Sequence, residues 1–200
     1  NPLKQLVKAA RYIKGEPIVL ALTVLTAIPM LVLFPFVHSL LPVYAAEVFG
    51  YGPARLGLML SALGVGASVG TITIASLGEV PHKGRFLLLG LGLMIASMVV
   101  FSRIGQAMSP LPVLMVLAAS LTTYFTLSGA VMHAIIPDEL RGRVSSIGVM
   151  TWGLLPLGTV LSGGVAALFS APTATLIAAV FVAVVLAAFT PKLRRVWQIE

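Results

Sequence analysis

Residues 144–191 read VSSIGVMTWGLLPLGTVLSGGVAALFSAPTATLIAAVFVAVVLAAFTP, with no Asp, Glu, Lys, Arg or His anywhere in the run. A helix needs about 20 apolar residues to cross the hydrocarbon of a bilayer, so this run holds two crossings rather than one. Ser170-Ala171-Pro172 lies near its middle, where small residues and a proline without an N–H turn the backbone. Two spans, 144–169 and 173–190, are therefore predicted.

Toward the N-terminus, stretches without Asp, Glu, Lys or Arg cover 18–46, 56–77, 86–102 and 104–137. The last of these opens with Gly105, Ser109, Pro110 and Pro112, which predicts a loop leading into a helix near Val113. The expected fold is an all-α membrane protein, a six-transmembrane-helix bundle with spans near 18–46, 54–77, 86–103, 113–136, 144–169 and 173–190. Residues 17–191 form the transmembrane unit, preceded by a segment 1–16 and followed by a tail 192–200. Composition agrees: 58% of the 200 residues are hydrophobic and 10% charged, against about 25% charged in soluble domains.

A net charge of +7 raises the possibility of a nucleic-acid partner. Its placement excludes one. Lys4, Lys8, Arg11 and Lys14 precede the first span, Lys83 and Arg85 separate the second and third, Arg141 and Arg143 the fourth and fifth, and Lys192, Arg194 and Arg195 follow the sixth. Only Arg55 and Arg103 fall at the other end, so eleven of thirteen cations share one side. That is the positive-inside pattern, and it places both termini in the cytoplasm of a cell whose lipid bilayer surrounds the chain. Before the first span, Leu3, Leu6, Val7, Ala10 and Ile13 recur at helical spacing beside Lys4, Lys8 and Arg11. Both an interfacial helix and a linker whose charges set topology fit this segment.

The absence of cysteine rules out disulfides and thiolate metal sites, and three scattered histidines offer no ligand spacing, so neither metal nor cofactor is expected. The first apolar run is too long for a cleavable signal and lacks a small-residue cleavage pattern. Because the chain opens on Asn1, it is expected to be part of a longer protein.

Pro29, Pro35 and Pro42 each remove a backbone donor from the first span, so that helix is bent or locally unwound. In lipid the freed carbonyls must find neighbouring protein or water, which suggests a cavity wall; a purely structural kink is the alternative. The second span carries small residues on two adjacent stripes, Gly57, Ser61, Gly64, Ser68, Thr71, Ala75 and Ala62, Gly66, Gly70. The fifth repeats the habit with Gly148, Gly153, Gly158, Ser162, Gly163 and Ala166, and adds Pro156. Without a hydrophobic drive between helices in lipid, such residues let backbones approach and gain dispersion contacts. Their position on the second and fifth of six spans fits a 3+3 inverted repeat.

An ionisable group inside a span is costly and is a functional candidate by default. His38 and His133 are the two such groups. Thr122, Thr126, Gly129 and His133 share one helical face and make a polar stripe, although His133 stands only four residues before Pro137, near the interface. Tyr44, Tyr124 and Trp152 are amphipathic aromatics suited to a small amphipathic substrate, and equally to core packing or interface anchoring. No carboxylate or basic side chain lies in the middle of a span, so proton coupling, where present, is expected outside this chain.

Two loops narrow the class. Gly78-Glu79-Val80-Pro81-His82-Lys83-Gly84-Arg85 and Pro137-Asp138-Glu139-Leu140-Arg141-Gly142-Arg143-Val144-Ser145-Ser146 both resemble loops of the major facilitator superfamily. In that family a Gly-rich loop with an acidic residue ends in Gly-Arg between the second and third helices of a half. Gly84-Arg85 matches the ending, whereas Pro81 stands where the acid is expected and Glu79 is the nearest carboxylate. The second loop, with Gly148, Gly153, Pro156-Leu157-Gly158 and Ser162-Gly163-Gly164, resembles the C-terminal half of the bacterial exporter subfamily that includes the enterobactin exporter and drug-efflux permeases. The amphipathic opening and Leu41-Pro42-Val43-Tyr44 fit that half too. The resemblance implies a secondary active transporter of a bacterial inner membrane, an ion-driven antiporter or efflux permease working by alternating access. Its partner would be an N-terminal six-helix half, most simply on the same polypeptide. Around Asp138 and Glu139, the cations Arg141 and Arg143 suit either a capped turn or a charge latch that breaks as the halves rock.

Other classes fit less well. An intramembrane protease needs a Gly-x-Ser-Gly motif and a later histidine, but Ser128-Gly129 and Ser162-Gly163 lack the leading glycine and no histidine follows His133. The remaining alternative is a channel or a non-transporting six-span membrane module; a selective channel would show a ring of charges or a carbonyl-rich filter, and neither is visible.

Overall fold

Proline decides the shape of the first span. In the computed structural model, which describes residues 15, 17–77, 83–106, 108–136, 152, 153 and 155–193, that span is a chain of short pieces. Helix α1 (Pro17–Leu31) gives way at Val32 to α2 (Leu33–His38), and a turn at Ser39 and Leu40 leads to α3 (Leu41–Val43). A π-helical turn, Tyr44–Val48, ends it. Gly50, at φ +64, then reverses the chain in the left-handed region that glycine enters without a Cβ clash.

The carbonyls that the prolines release are met by other helices. Pro29 has no N–H for the carbonyl of Leu25 four residues earlier, and the hydroxyl of Tyr124 donates to that oxygen at 2.5 Å. Pro35 likewise frees the carbonyl of Leu31, which the Cα side of Gly158 approaches closely. The sequence expectation that neighbouring protein would satisfy such groups is met at Leu25, whereas at Leu31 the contact with Gly158 is one of close packing. Tyr124→Phe leaves the Leu25 carbonyl without that partner inside an apolar bundle. A loss of about 1–3 kcal/mol is expected, read as a lower melting temperature of the detergent-solubilised protein.

The remaining helices are α4 (Pro53–Leu77), α5 (Lys83–Arg103), α6 (Leu111–Ile135), α7 (Leu155–Phe169) and α8 (Ala171–Leu193), and no strand occurs among the described residues. Among the described residues, five stretches are long and apolar enough to cross a membrane: Thr23–Val48, Pro53–Ser76, Phe86–Arg103, Leu111–Met132 and Ala171–Ala188. Helix α7 is apolar but shorter, and the start expected for its span, from residue 144, lies outside the described residues. Two boundaries differ from expectation. Helix α6 begins at Leu111 rather than near Val113, and α8 already includes Ala171 and Pro172, because proline is tolerated in a first turn where no N–H is needed. The break between α7 and α8 is Ser170 alone, at φ +138.

Helix α6 is the centre of one side of the bundle, packing against α4, α5 and α1. Helix α8 is the centre of the other, touching α5, α7, α1 and α2. The broken first span is thus held between α6, α7 and α8. Leu33, Leu41, Tyr44, Met59, Leu87, Met98, Leu114 and Ala174 are among its buried core. Apolar side chains are equally plentiful outside: Ile72, Leu89, Val160, Leu168 and Val184 are all more than half exposed. A water-soluble monomer does not present apolar surface on this scale; lipid accommodates it.

Candidate transport pathway

The polar and aromatic side chains of the first span converge where it breaks. His38, the last residue of α2, stacks on Phe34 one turn earlier, with ring centroids 3.9 Å apart and planes 11° from parallel. Its Nδ1 donates to the Phe34 carbonyl at 3.2 Å, which fixes the ring. Trp152 also meets Phe34, edge-on, with centroids 6.2 Å apart. Together Phe34 and His38 form one wall of a hollow of about 310 Å³, whose other walls include Leu63 and Gly64 from α4 and Leu121 and Thr122 from α6.

Of the expected pathway residues, this arrangement unites His38 and Thr122 directly and Trp152 through Phe34. Thr122 also returns its hydroxyl to the Ala118 carbonyl at 2.9 Å. Thr126, one turn further along α6, is exposed. Tyr44 and Tyr124 lie in the buried core, away from this hollow. Tyr44 lies against Phe101, centroids 4.4 Å apart, and donates to the Ala171 carbonyl at 3.3 Å; Tyr124 holds Leu25, and both rings are buried. His133 lies in α6, and its side chain is outside the described residues.

Phe34 was not among the expected residues. Its signal was its spacing, four before His38, which puts two flat rings on one helical face. Two hydroxyl pairs were missed as well: Thr26 and Ser128 lie 2.6 Å apart between α1 and α6, and Ser39 and Ser162 lie 2.7 Å apart between the turn after α2 and α7. Periodicity along one helix carries no information about which neighbour it will face.

The expected packing glycines divide. A Cβ at Gly158 would collide with the Leu31 carbonyl and the Pro35 ring, so this glycine sets the approach of α7 to the broken span. Gly57, Gly64 and Gly163 have nothing within 4 Å of such a Cβ. The tight contact of α4 runs instead through the second stripe, Gly66 against the Met115 backbone and Gly70 against the Ala119 carbonyl. The helix carries two small-residue faces, and α6 occupies the narrower one. Gly153 sits in an exposed turn and Pro156 is exposed in the first turn of α7. Gly148 and the loop residues Glu79, Asp138, Glu139, Arg141, Gly142 and Arg143 lie outside the described residues, whereas Lys83, Gly84 and Arg85 start α5.

A bundle of apolar helices, five of them long enough to cross a bilayer among the described residues, defines an integral membrane protein, and its proline-broken span walls a polar and aromatic hollow. Residues 3–199 match the family model described as transmembrane secretion effector. The chain therefore belongs to that family, which is of the major facilitator type and transports rather than catalyses. No curated protein and no solved structure matches the chain.

Proposed function

We propose that this chain is the C-terminal half of a major facilitator exporter, six spans in a 3+3 inverted repeat, that moves an amphipathic small molecule by ion-driven alternating access. The observation that carries the reading is the hollow at the break in the first span. Its wall combines a stacked His38–Phe34 pair, a hydroxyl at Thr122 and apolar side chains, with no fixed charge. Such a lining binds a partly apolar solute through stacking and a few hydrogen bonds, and releases it because no ion pair must be broken. The missing N-terminal half would close over the exposed face of α4 near Gly64, and the two halves would rock about the site between them. With no charged group in the middle of the described spans, the coupling ion is carried by that other half.

The test is efflux of a fluorescent amphipathic dye by the full-length protein in everted vesicles. Phe34→Ala and His38→Ala each remove an aromatic contact worth about 0.5–1.5 kcal/mol, which lowers the rate roughly two- to tenfold at limiting dye. Val160→Ala, on the exposed face of α7, should leave it unchanged. Equal rates in all three variants would oppose the reading.

A further inference from the structure

A second hollow lies at the opposite end of the bundle from Lys83, where the first span turns into α4 and α5 returns into α6. It measures about 180 Å³ and is lined by Tyr51, Arg55, Leu58, Met59, Ser109 and Leu111 among others. Arg55 is one of two cations at this end of the chain, the other being Arg103. Its guanidinium carbon sits 4.7 Å from the centre of the Tyr51 ring. A cation–π contact with an aromatic face positions the guanidinium while leaving it N–H groups to donate to a ligand. The sole carboxylate among the described residues is Glu47, and no described ion pair occupies Arg55.

The surroundings select among anions. Leu58, in the same helix, is 56% exposed on the outer surface, and Leu111 continues the apolar wall from α6. The hydroxyl of Ser109 stands on the rim, itself exposed. A free inorganic anion would waste the apolar wall, and a neutral apolar molecule would waste the guanidinium. An oxyanion attached to a hydrocarbon tail uses both, with its head on Arg55 and its tail along Leu58 into the bilayer.

We propose that Arg55, oriented by Tyr51, forms a binding site for the phosphodiester of an anionic phospholipid at this end of the bundle. It is separate from the His38 hollow.

Native mass spectrometry of the full-length protein in detergent tests the site, with dioleoyl phosphatidylglycerol and dioleoyl phosphatidylcholine as probes. The two share tails and phosphate and differ in net head charge. The expected result is retention of phosphatidylglycerol in preference to phosphatidylcholine, weakened about tenfold by Arg55→Gln, which removes a charge-assisted bond. Arg103→Gln, at the same end, should leave retention unchanged, as a general attraction of cations for lipid would not. Ser109→Trp, which fills the hollow and keeps the charge, should also weaken it. Size-exclusion profiles matching wild type establish that the exposed substitutions leave the fold intact. Equal retention of both lipids, unchanged retention in Arg55→Gln, or an equal loss in Arg103→Gln would overturn the proposal. Displacement of phosphatidylglycerol by millimolar inorganic phosphate alone would also overturn it, in favour of a free-anion site.

Discussion

Gly66→Ala is expected to destabilise the protein by about 3 kcal/mol, although the same change in an open helix is favourable by up to about 1 kcal/mol. The sign reverses because of one contact. An added Cβ at Gly66 falls on the carbonyl of Met115, a backbone atom that has no rotamer to escape into. Relief requires α4 and α6 to separate along a seam that also includes Gly70 and Ala119, which gives up dispersion contacts that lipid does not replace. Gly57→Ala on the same helix meets nothing within 4 Å and should be neutral or slightly stabilising. Thermal denaturation in detergent separates the two, and equal melting temperatures would show that the seam is looser than described.

The second large effect is expected at Gly158. A Cβ there meets the Leu31 carbonyl and the Pro35 ring at once, both in the segment where the first span breaks. Proline is rigid and the carbonyl is backbone, so α7 must move away as a unit, and Ser162 draws back from Ser39, now 2.7 Å away. Gly158→Ala should therefore cost about 2–3 kcal/mol and also slow dye efflux by withdrawing α7 from behind the segment that carries Phe34 and His38. Gly163→Ala, with open space around it, is the matched control. Retention of both stability and transport in Gly158→Ala would show that α7 does not brace the break.

What could be read from the sequence follows from what a bilayer punishes. Charge is expensive in hydrocarbon, so the uncharged runs and the one-sided placement of Lys and Arg marked the spans directly. Prolines also spoke plainly: Pro29, Pro35 and Pro42 announced a broken helix whose carbonyls needed partners. Which partners was a different matter. Tyr124 reaches Leu25 across 99 positions of sequence, and nothing in the pattern of either helix encodes that meeting. The two small stripes of α4 were equally plausible seams, and only the placement of α6 selected Gly66 and Gly70 over Gly57 and Gly64. Phe34 was hidden for the opposite reason, since an apolar aromatic in an apolar span carries no excess cost to draw attention. The wall of the hollow was thus half visible, through its titratable member His38, and half invisible, through the ring stacked on it.

For a solute to pass along this route, the break in the first span must face water while the outer faces of the helices meet lipid. This chain has no cysteine of its own, so single thiols report unambiguously when introduced into a full-length protein freed of any others. A maleimide reacts with the thiolate, which forms in water and not in hydrocarbon. Labelling of His38→Cys and Val160→Cys by a membrane-impermeant maleimide in everted vesicles is the direct measurement. Fast labelling at position 38 and little at position 160 is expected; equally slow labelling at both would contradict a water-facing break.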